Sequence, residues 1–442
     1  MDKNILVCGT GQSGIYSALL LKKLGAKVTL QDIKDKVVTT EDLEGIDLYL
    51  GKTPDDIVKD MDMVVLSPGI PFDSEFVKIA RSHNVSVIGE FELASRYFDG
   101  LTLAITGTNG KTTTTMMVGD IMKLHASGVA VLGNIGVPYT KEVLSLSKDD
   151  VVVAEVSSFQ LESIEEFRPH IASVLNLTQD HLDRHKTMEN YGSIKERIFM
   201  NQKENDYLVL NKDDSYCLDM ANRAKSKIFF FSTKTKLDQG AFLDGDNIVL
   251  KVNDTITNLL NINELKVIGN HNVENAMAAA LMANLAGVPP EIIKKALLDF
   301  EPVAHRLELV RTKNGINFYN DSKATNPESA IKSLQAITKP IVLIAGGLNK
   351  NSDFTGFVRA FEKKVKTVVL IGQATQEILS VCKNLNFVDT IEATTMDDAV
   401  KIAFSNAKEG DAVLLSPACA SFDMFNDFNH RGDTFKEIVK KL

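Results

Sequence analysis

The stretch Leu101-Thr-Leu-Ala-Ile-Thr-Gly-Thr-Asn-Gly-Lys-Thr-Thr113 decides what the middle of the chain can form. Its first six residues are β-branched or apolar and predict a strand, and the apolar spacing after Lys111 predicts a helix. Between the two, Gly107–Gly110 predicts a tight loop. Such a loop turns successive backbone N–H groups toward one point, where the helix N-terminus adds partial positive charge. The stretch therefore predicts a cradle for a polyphosphate.

The side chains at the end of this loop suit a nucleotide with its metal ion. Lys111 would reach the β- and γ-phosphates, and Thr112 would place a hydroxyl on Mg²⁺. The usual loop has a further glycine where Ile105 stands, so this one is a variant. We predict ATP or GTP binding, and the alternative is an ordinary strand–turn–helix with a surface lysine. The residues of the cradle are Gly107, Thr108, Asn109, Gly110, Lys111, Thr112 and Thr113.

Length and composition narrow the class of protein. At 442 residues the chain has room for about three domains. Its 44% hydrophobic and 24% charged residues are ordinary for a soluble globular protein. The net charge of -9 argues against a nucleic-acid surface, the four scattered cysteines lack metal spacing, and no apolar stretch is long enough to span a bilayer. We therefore expect a cytoplasmic protein that binds small molecules and neither nucleic acid nor membrane. We also expect a monomer, which composition does not address.

Residues 1–97 predict a Rossmann-like domain. The Gly-x-Gly-x-x-Gly turn Gly9–Gly14 lies between a predicted strand and a predicted helix, and Asp32 ends the next strand. A later strand ends in Ser67-Pro68-Gly69, at the edge where open α/β sheets bind ligands. The turn would hold a diphosphate, and Asp32 would accept a hydrogen bond from a ligand hydroxyl or imide. The motif alone does not separate NAD from another nucleotide diphosphate, or either from a structural turn.

Residues 98–300 predict a central domain of the P-loop ATPase type, with further polar residues at strand ends. Gly133-Asn134-Ile-Gly136 is a turn after an apolar strand, and Asp150–Glu155 is a buried strand that ends in a carboxylate. In nucleotide hydrolases and transferases an acid in that place holds Mg²⁺. This pattern favours Glu155 as a metal ligand over a solvated glutamate.

Several polar positions of the central domain have more than one interpretation. His181 and His185 have a spacing that invites zinc, but the segment is loop-like and no glutamate follows His181. We favour His181 at the rim of a Mg²⁺ site, with zinc and a solvated loop as alternatives. Lys195, by spacing alone, is one more surface lysine. Asn272 and Asn275 lie one helical turn apart and suit a purine or its ribose, although helix capping explains Asn272 nearly as well.

Residues 301–442 predict a second Rossmann-like domain, because strands alternate with helix-length intervals as in a doubly wound sheet. One strand leads into Asp321-Ser-Lys-Ala-Thr-Asn-Pro327, with the proline at a helix start. Lys323 and Thr325 would capture an anion at that helix N-terminus. Another strand ends in Gly346-Gly-Leu-Asn-Lys350, which again places a cation at a strand end. The sequence as a whole predicts an α/β protein of three domains.

With these segments in order, essentially the whole chain resembles the Mur ligase family. The motifs found across that family are Gly107–Thr113, Asp180-His181, His271-Asn272-x-x-Asn275, His305-Arg306 and Asp321–Thr325. Four further segments resemble in particular the members that add D-glutamate: Asp321–Asn326, Leu415–Ser421, Phe428 and Arg431-Gly432. The Asp-Asn-Pro-Arg tetrapeptide of the members that add a diamino acid is absent from the sequence.

The resemblance implies an ATP-dependent ligase that joins D-glutamate to UDP-N-acetylmuramoyl-L-alanine through an acyl phosphate, in peptidoglycan precursor synthesis. It also implies two Mg²⁺ ions and a carbamate on Lys195, a modification that turns a cation into an anionic ligand. The implied catalytic residues are Lys111, His181 and Lys195. The implied metal ligands are Thr112, Glu155, His181 and Lys195.

The remaining site residues follow from the same resemblance, under which the first domain would hold uridine diphosphate rather than NAD. The positions matched for the UDP-linked substrate are Gly11, Gln12, Ser13, Asp32, Ser67, Pro68, Gly69, Asn134 and Ser157. The positions matched for ATP, besides the loop, are Asn272, Asn275, Arg306 and Asp321. The positions matched for D-glutamate are Lys323, Thr325, Lys350, Ser421 and Phe428.

Two departures from the family pattern concern substrate contacts rather than the reaction class. Leu348-Asn349 stands where some members carry an acidic residue, and Ile33 stands where some carry a hydroxyl beside Asp32. Three hypotheses are open: a ligase that adds D-glutamate or, as a sister enzyme, another amino acid; an NAD-dependent oxidoreductase; and a nucleotide-regulated binding protein without chemistry. The oxidoreductase hypothesis leaves Lys111 and the third domain unexplained.

Overall fold

A computed structural model describes residues 3–301, 304–350, 352–361 and 364–442, and the chain divides into two compact units. The first unit contains the residues up to Leu177, Arg184–Asn261 and Asn275–Leu297, and the second contains Thr178–Asp183, Ile262–Glu274 and Leu298–Leu442. Two sheets lie in the first unit and one in the second among these residues, which confirms the α/β architecture. The domain limits at residues 97 and 300 stay predictions. None of the helices within the described ranges has the length and apolar character needed to cross a bilayer.

The first sheet is parallel throughout, with its strands in the order β3-β2-β1-β4-β5. Its strands are β1 (Asn4–Cys8), β2 (Lys27–Asp32), β3 (Asp47–Leu50), β4 (Met63–Leu66) and β5 (Ser86–Gly89). Its helices are α1 (Gln12–Lys23), α2 (Glu75–Ser82) and α3 (Glu90–Ser95). Because β1 lies between β2 and β4, the glycine turn, Asp32 and Ser67 leave the sheet at neighbouring positions of one edge.

The second sheet has the order β14-β13-β12-β11-β10-β9-β6-β8-β7. Its strands are β6 (Leu101–Thr106), β7 (Val129–Gly133), β8 (Val151–Glu155), β9 (Ile171–Val174), β10 (Tyr207–Asn211), β11 (Lys227–Ser232), β12 (Gly240–Asp244), β13 (Asn247–Val252) and β14 (Thr255–Asn261). The pairs from β7 to β12 are parallel, and β13 and β14 add an antiparallel hairpin. The strand β6 has the predicted limits. It lies between β8 and β9, so the phosphate loop, Glu155 and the residues after β9 share one edge.

The helices of this central part accompany a sheet whose inner strands are almost fully buried. They are α4 (Lys111–Lys123), α5 (Tyr139–Glu142), α6 (Ser158–Leu161), α7 (Leu182–His185), α8 (Met188–Glu196), α9 (Ser215–Met220), α10 (Asn270–Leu285) and α11 (Pro290–Asp299). Every residue of β8 is buried, as expected for a parallel strand covered on both faces. The helix α4 begins at Lys111, as predicted.

The third sheet, in the second unit, has the order β15-β16-β20-β17-β18-β19. Its strands are β15 (Glu308–Lys313), β16 (Ile316–Asn320), β17 (Ile341–Gly346), β18 (Val365–Ile371), β19 (Thr390–Glu392) and β20 (Ala412–Leu415). Its helices are α12 (Pro327–Ala336), α13 (Thr355–Arg359), α14 (Thr375–Asn384), α15 (Met396–Asn406) and α16 (Phe428–Lys441). Only β15 is antiparallel to its neighbour within the described sheet. Since β20 lies between β16 and β17, the loops after these three strands are neighbours.

Candidate active site

The predicted phosphate loop ends in a glycine that no other residue could replace without strain. Gly110 precedes α4 with a φ of 85°, a left-handed conformation that favours glycine. A Cβ atom at this position would lie 2.3 Å from Oδ1 of Asn275, so glycine is needed for space as well. The same Asn275 oxygen accepts a hydrogen bond from Thr114 Oγ1 at 3.3 Å. The loop is therefore fitted against α10, which carries the predicted nucleotide residue Asn275.

Asn176, the second residue after β9, anchors the loop from its other side. Asn176 accepts from the Thr108 amide on its carbonyl oxygen at 3.0 Å and from the Asn109 amide on Oδ1 at 2.8 Å. Its Nδ2 donates to the Asn109 carbonyl at 3.0 Å. Sequence reasoning missed Asn176, although its place at the end of a strand next to β6 was a usable signal.

Both predicted catalytic lysines of the first unit contact the loop. Lys111 Nζ donates to the carbonyl oxygens of Gly107 at 3.0 Å and Thr108 at 2.9 Å. Lys195 Nζ donates to the Gly107 carbonyl at 2.8 Å and lies 4.7 Å from the centre of the Tyr191 ring. Lys195 is only 1% exposed, so the spacing-based interpretation of it as a surface lysine is wrong. The catalytic and metal-binding roles that the family resemblance implies for Lys195 stay predictions.

Glu155, at the end of β8, carries one oxygen whose bonding is incomplete. Oε1 accepts a hydrogen bond from Asn134 Nδ2 at 2.8 Å, whereas Oε2 is buried and has no hydrogen-bond partner. A buried carboxylate oxygen without a donor is costly unless a cation or water satisfies it. The donor set therefore fits a bound metal ion. Thr112, the other oxygen ligand predicted in this unit, is also buried.

His185, the second histidine of the spacing for which zinc is an alternative interpretation, lies in the core. His185 is buried, with Nε2 2.9 Å from Ser158 Oγ and its ring stacked on Tyr191 at 5.1 Å. These are the contacts of a core histidine. Across the described ranges, no group of three or more His, Cys, Asp or Glu side chains is placed to hold a metal ion. A metal at Glu155 would need ligands of other types as well.

At the edge of the first sheet, Asp32 is held by the glycine turn itself. Its Oδ2 accepts from Thr10 N and Thr10 Oγ1, both at 2.7 Å, and its Oδ1 accepts from Lys34 N at 3.0 Å. Burial by itself raises the pKa of Asp32, but the hydrogen bonds from Lys34 and Thr10 hold the pKa below its ordinary value. Nearby, Ser67 Oγ is buried without a hydrogen-bond partner. Asp32 is thus a preformed anion, and Ser67 keeps a hydroxyl available.

In the second unit, a cleft of about 300 Å³ brings together residues from two of the predicted groups. Its lining includes His181 from the predicted metal ligands and Thr325 and Lys350 from the predicted D-glutamate residues. Asn326, which caps α12 by accepting from Ser329 N at 2.8 Å, donates to Asp180 at 3.3 Å. The predicted helix start at Pro327 is confirmed.

A buried arginine holds two loops at the same edge of this sheet. Arg431 Nε and Nη2 donate to the hydroxyl and carbonyl of Ser322 at 3.0 and 2.8 Å, and Nη1 donates to the carbonyl of Cys419 at 3.1 Å. These bonds join the loops after β16 and β20 to α16. Phe428, at the start of α16, has its ring centre 5.4 Å from Lys323 Nζ. Four of the five predicted D-glutamate residues thus lie on loops of one sheet edge, and the fifth, Phe428, begins the adjoining helix.

Asp321 lies in the interior at the same edge of the sheet and connects several of its loops through hydrogen bonds. It is fully buried and accepts from Ser416 Oγ at 2.8 Å and from Leu307 N at 3.2 Å, besides Ser333 Oγ. Burial raises its pKa to about 6, although these bonds and the charge of Arg306 act in the opposite direction. Its contact with ATP stays a prediction, as do those of Asn272 and Arg306.

At the Leu348-Asn349 departure from the family pattern, the Asn349 side chain accepts a hydrogen bond from Ser352 N at 2.8 Å and stabilises the turn.

Comparison with known proteins identifies the family. Three family profiles match: the Mur ligase MurD-like N-terminal domain at residues 3–89, the Mur ligase middle domain at 105–283, and the Mur ligase glutamate ligase domain at 305–419. A UDP-N-acetylmuramoylalanine–D-glutamate ligase of Thermoanaerobacter sp. (strain X514) is 46% identical over 447 residues, which is 100% of this chain and 98% of the relative. The chain belongs to the Mur ligase family.

Other Mur ligases agree with this membership in sequence and in fold. The relative of the same name from Lachnospira eligens is 44% identical over 446 residues, covering 100% of this chain and 99% of its own. The crystal structure of UDP-N-acetylmuramate-alanine ligase MurC from Thermotoga maritima matches with a TM-score of 0.62 at 21% identity over 100% of both chains. This Mur ligase is therefore an ATP-dependent ligase of the three-domain Mur architecture. The oxidoreductase and binding-protein hypotheses are set aside.

Proposed function

We propose that this Mur ligase forms the amide bond between D-glutamate and UDP-N-acetylmuramoyl-L-alanine, driven by ATP. The observation that carries the proposal is that relatives at 42% to 46% identity, which match 100% of the chain, bear the corresponding name. Two parts of the structure support it: the phosphate loop with Glu155 and Lys195 in the first unit, and the cleft with Thr325 and Lys350 in the second.

An amino-acid panel tests the proposal. The protein, ATP, Mg²⁺ and UDP-N-acetylmuramoyl-L-alanine are combined with single amino acids, and ADP release and the mass of the product are measured. We expect turnover with D-glutamate and at least about a hundredfold less with L-glutamate, L-alanine, L-lysine or a diaminopimelate, since polar groups left unpaired in a buried site discriminate strongly. Turnover with another amino acid in place of D-glutamate would assign the chain to a sister ligase.

The proposed reaction overcomes the weakness of a carboxylate as an acyl donor. The alanyl carboxylate oxygen attacks the γ-phosphorus of ATP in line, and the bond to the β–γ bridging oxygen breaks, giving an acyl phosphate and ADP. The D-glutamate amine then attacks the acyl carbon and loses a proton, and the tetrahedral intermediate expels phosphate to leave the amide. Holding both partners in one cleft converts a bimolecular encounter into a nearly unimolecular one.

The chain's own residues have defined tasks in the first step. The amides of Thr108 and Asn109 are bonded to Asn176, so the remaining loop amides and the α4 N-terminus would bind the phosphates. The Lys111 ammonium would offset the charge that develops at the γ-phosphate. Lys111 Nζ already lies against the loop, bonded to the carbonyl oxygens of Gly107 and Thr108. On ATP binding, the ammonium would exchange these carbonyl acceptors for phosphate oxygens.

Mg²⁺ fits the residues proposed to hold it. The partnerless Glu155 oxygen and the buried Thr112 hydroxyl are hard oxygen ligands of the kind that Mg²⁺ prefers. His181 and a carbamate on Lys195 complete the proposed set. When bound, Mg²⁺ supplies Lewis-acid neutralisation of phosphoryl oxygens.

We also propose the carbamate on Lys195. The neutral amine would add to CO₂ with loss of a proton, forming an N–C bond and an anion in a position that is 1% exposed. In the presence of ¹³C-bicarbonate and Mg²⁺, we expect a carbamate signal by ¹³C NMR that is lost in Lys195→Met and kept in Lys111→Met. A wild-type protein without that signal would contradict the proposal, whatever its activity.

The remaining parts of the proposal concern the state of the enzyme in the cell. We propose that it acts in the cytoplasm, where ATP and UDP-linked precursors are available, and as a monomer, since the residues proposed for all three substrates come from one chain. Light scattering coupled to gel filtration should give a mass near 48.6 kDa. A dimer mass would overturn the monomer.

A further inference from the structure

Arg184, at α7, has two sets of partners in the first unit. Toward α6, its Nε and Nη2 donate to the Glu162 carboxylate at 3.0 and 2.5 Å. Toward the first sheet, it donates to three successive backbone carbonyls at 3.3, 3.4 and 3.1 Å. Those carbonyls belong to Pro68, Gly69 and Ile70. The side chains of Arg184 and Glu162 are only 15% and 12% exposed, so the pair is largely desolvated.

The loop that receives these bonds is also held by backbone hydrogen bonds and by the packing of Ile70 against a buried apolar cluster. Its backbone amides bond at the two ends, from Ser67 N to the Cys8 carbonyl and from Ile70 N to the Ser67 carbonyl, both at 3.0 Å. Pro68 has no N–H to donate. Three carbonyls on one guanidinium therefore fix the orientation of consecutive peptide groups, and hydrogen bonds to a charged donor are stronger than neutral ones.

The arginine is itself held in one orientation. Its carboxylate partner Glu162 also lies 3.3 Å from Nδ1 of the buried His185, and the guanidinium carbon lies 4.4 Å from the centre of the Phe159 ring. A planar guanidinium that is paired on two edges and stacked on one face has little freedom to rotate. The contact is thus a rigid link from the loop after β4 to α6, whose cap is Ser157.

We propose that Arg184 is a positioning residue for the UDP-linked substrate: it holds Ser67–Ile70 in the conformation that binds the nucleotide diphosphate. This inference rests on the proposed function, because Ser67, Pro68 and Gly69 are substrate residues only under that proposal. The loop after β4 belongs to the first sheet, whereas Arg184 lies in α7, among the helices of the second sheet. The conformation of the substrate-binding loop therefore depends on a side chain from outside its own sheet. Loss of the guanidinium should release the loop while the ATP and amino-acid residues stay in place.

Steady-state kinetics of Arg184→Met and Arg184→Lys test the inference. In Arg184→Met we expect KM for UDP-N-acetylmuramoyl-L-alanine to rise about 10- to 100-fold, because small misplacements of binding groups have effects of that size. The KM values for ATP and D-glutamate should change less than about threefold. The KM of Arg184→Lys for the UDP-linked substrate should lie between those of the wild type and Arg184→Met. A lysine ammonium can keep one carbonyl partner but cannot bind several acceptors at once as the planar guanidinium does.

Arg168→Met is the matched control. Arg168 forms a comparable two-pronged pair with Asp206, at 2.7 and 3.0 Å, in the same unit, and its recorded partners do not include the loop after β4. It should lower the melting temperature without changing KM for the UDP-linked substrate. Glu162→Gln supplies a second test, with the same selective rise in KM as Arg184→Met and less than additive effects in the double variant.

Two results would overturn the inference: KM values that rise equally for all three substrates, or a KM for the UDP-linked substrate that stays at the wild-type value in both Arg184 variants. If Arg184→Met does not fold, Arg184→Lys and Glu162→Gln decide. Calorimetric titration with UDP separates this inference from the proposed function. Wild-type protein that binds UDP without ligase turnover contradicts the proposed function, whereas variants that bind UDP as tightly as wild type contradict the role of Arg184.

Discussion

Replacing Lys111 with alanine should lower ADP release in the presence of both other substrates by at least about a thousandfold, equivalent to about 4 kcal/mol of transition-state stabilisation. Lys111 is the first residue of α4, and its ammonium donates to the loop carbonyls of Gly107 and Thr108. Phosphoryl transfer depends on charge neutralisation more than on covalent chemistry, so no neutral side chain can replace it. Alanine is a good helix former, so α4 should persist.

Lys123→Ala provides the control for this experiment. Lys123 ends the same helix and forms a surface ion pair with Asp120 at 2.9 Å, an interaction worth little in solution. Both variants should melt within a few degrees of the wild type, and only Lys111→Ala should lose ADP release and acyl transfer. Unchanged release in a folded Lys111→Ala protein would refute the assignment of the loop as the phosphate site.

The parts of the fold that sequence predicts well are those in which local pattern and burial agree. The strand Leu101–Thr106 and the helix start at Lys111 were predicted at their observed positions because an apolar run, glycines and a helical period meet there. The strand ends also predicted which polar groups converge, since parallel strands end at one edge. The strands β15 and β19 were missed. Neither shows an unbroken buried run, because each lies at an edge of its sheet.

The parts of the site that sequence could not predict depend on contacts far apart in the chain. Lys195 looks like any helical lysine, and only the fold shows that it reaches the Gly107 carbonyl from 88 residues away. The pairing of Arg184 with the carbonyl of Pro68 spans 116 residues and leaves no periodic signal. Family resemblance implies a role for Lys195, but neither pattern nor resemblance points to Arg184. A backbone carbonyl can accept a hydrogen bond whatever its side chain is, so such long-range contacts leave almost no pattern in the sequence around either partner.

Replacing Glu90 with glutamine should stabilise the folded protein at pH 8 by roughly 3 kcal/mol relative to the wild type, and by almost nothing at pH 4.5. Glu90 begins α3 and is 3% exposed, and its carboxylate accepts one hydrogen bond, from Gln160 Nε2 at 2.9 Å. Burial raises its pKa from 4.5 to about 7, against the smaller opposite effect of Gln160. Glutamine keeps an oxygen for that donor and carries no charge at any pH.

The sign of this effect follows from proton binding. Between pH 4.5 and about 7 the folded wild-type protein holds a proton on Glu90 that the unfolded chain has released. The stabilisation present below pH 4.5 is therefore lost as the pH rises through about 7, and above it the folded state contains an ionised, buried carboxylate. Urea and thermal unfolding at intervals from pH 4.5 to 8 measure the growing difference between wild type and Glu90→Gln.

The neighbouring carboxylate should respond in the opposite direction, which makes Glu92→Gln the control. Glu92 is equally buried, but its oxygens accept from three backbone amides and one guanidinium at 2.8 to 3.1 Å. These donors are the amides of Glu165, Glu166 and Phe167 and Nε of Arg96. Glutamine would turn an amide N–H₂ toward these donors and should destabilise the protein by about 3 kcal/mol. A difference between wild type and Glu90→Gln that is flat across the pH range, or that shares the sign of Glu92→Gln at pH 8, would show that Glu90 is ionised and satisfied in the folded state.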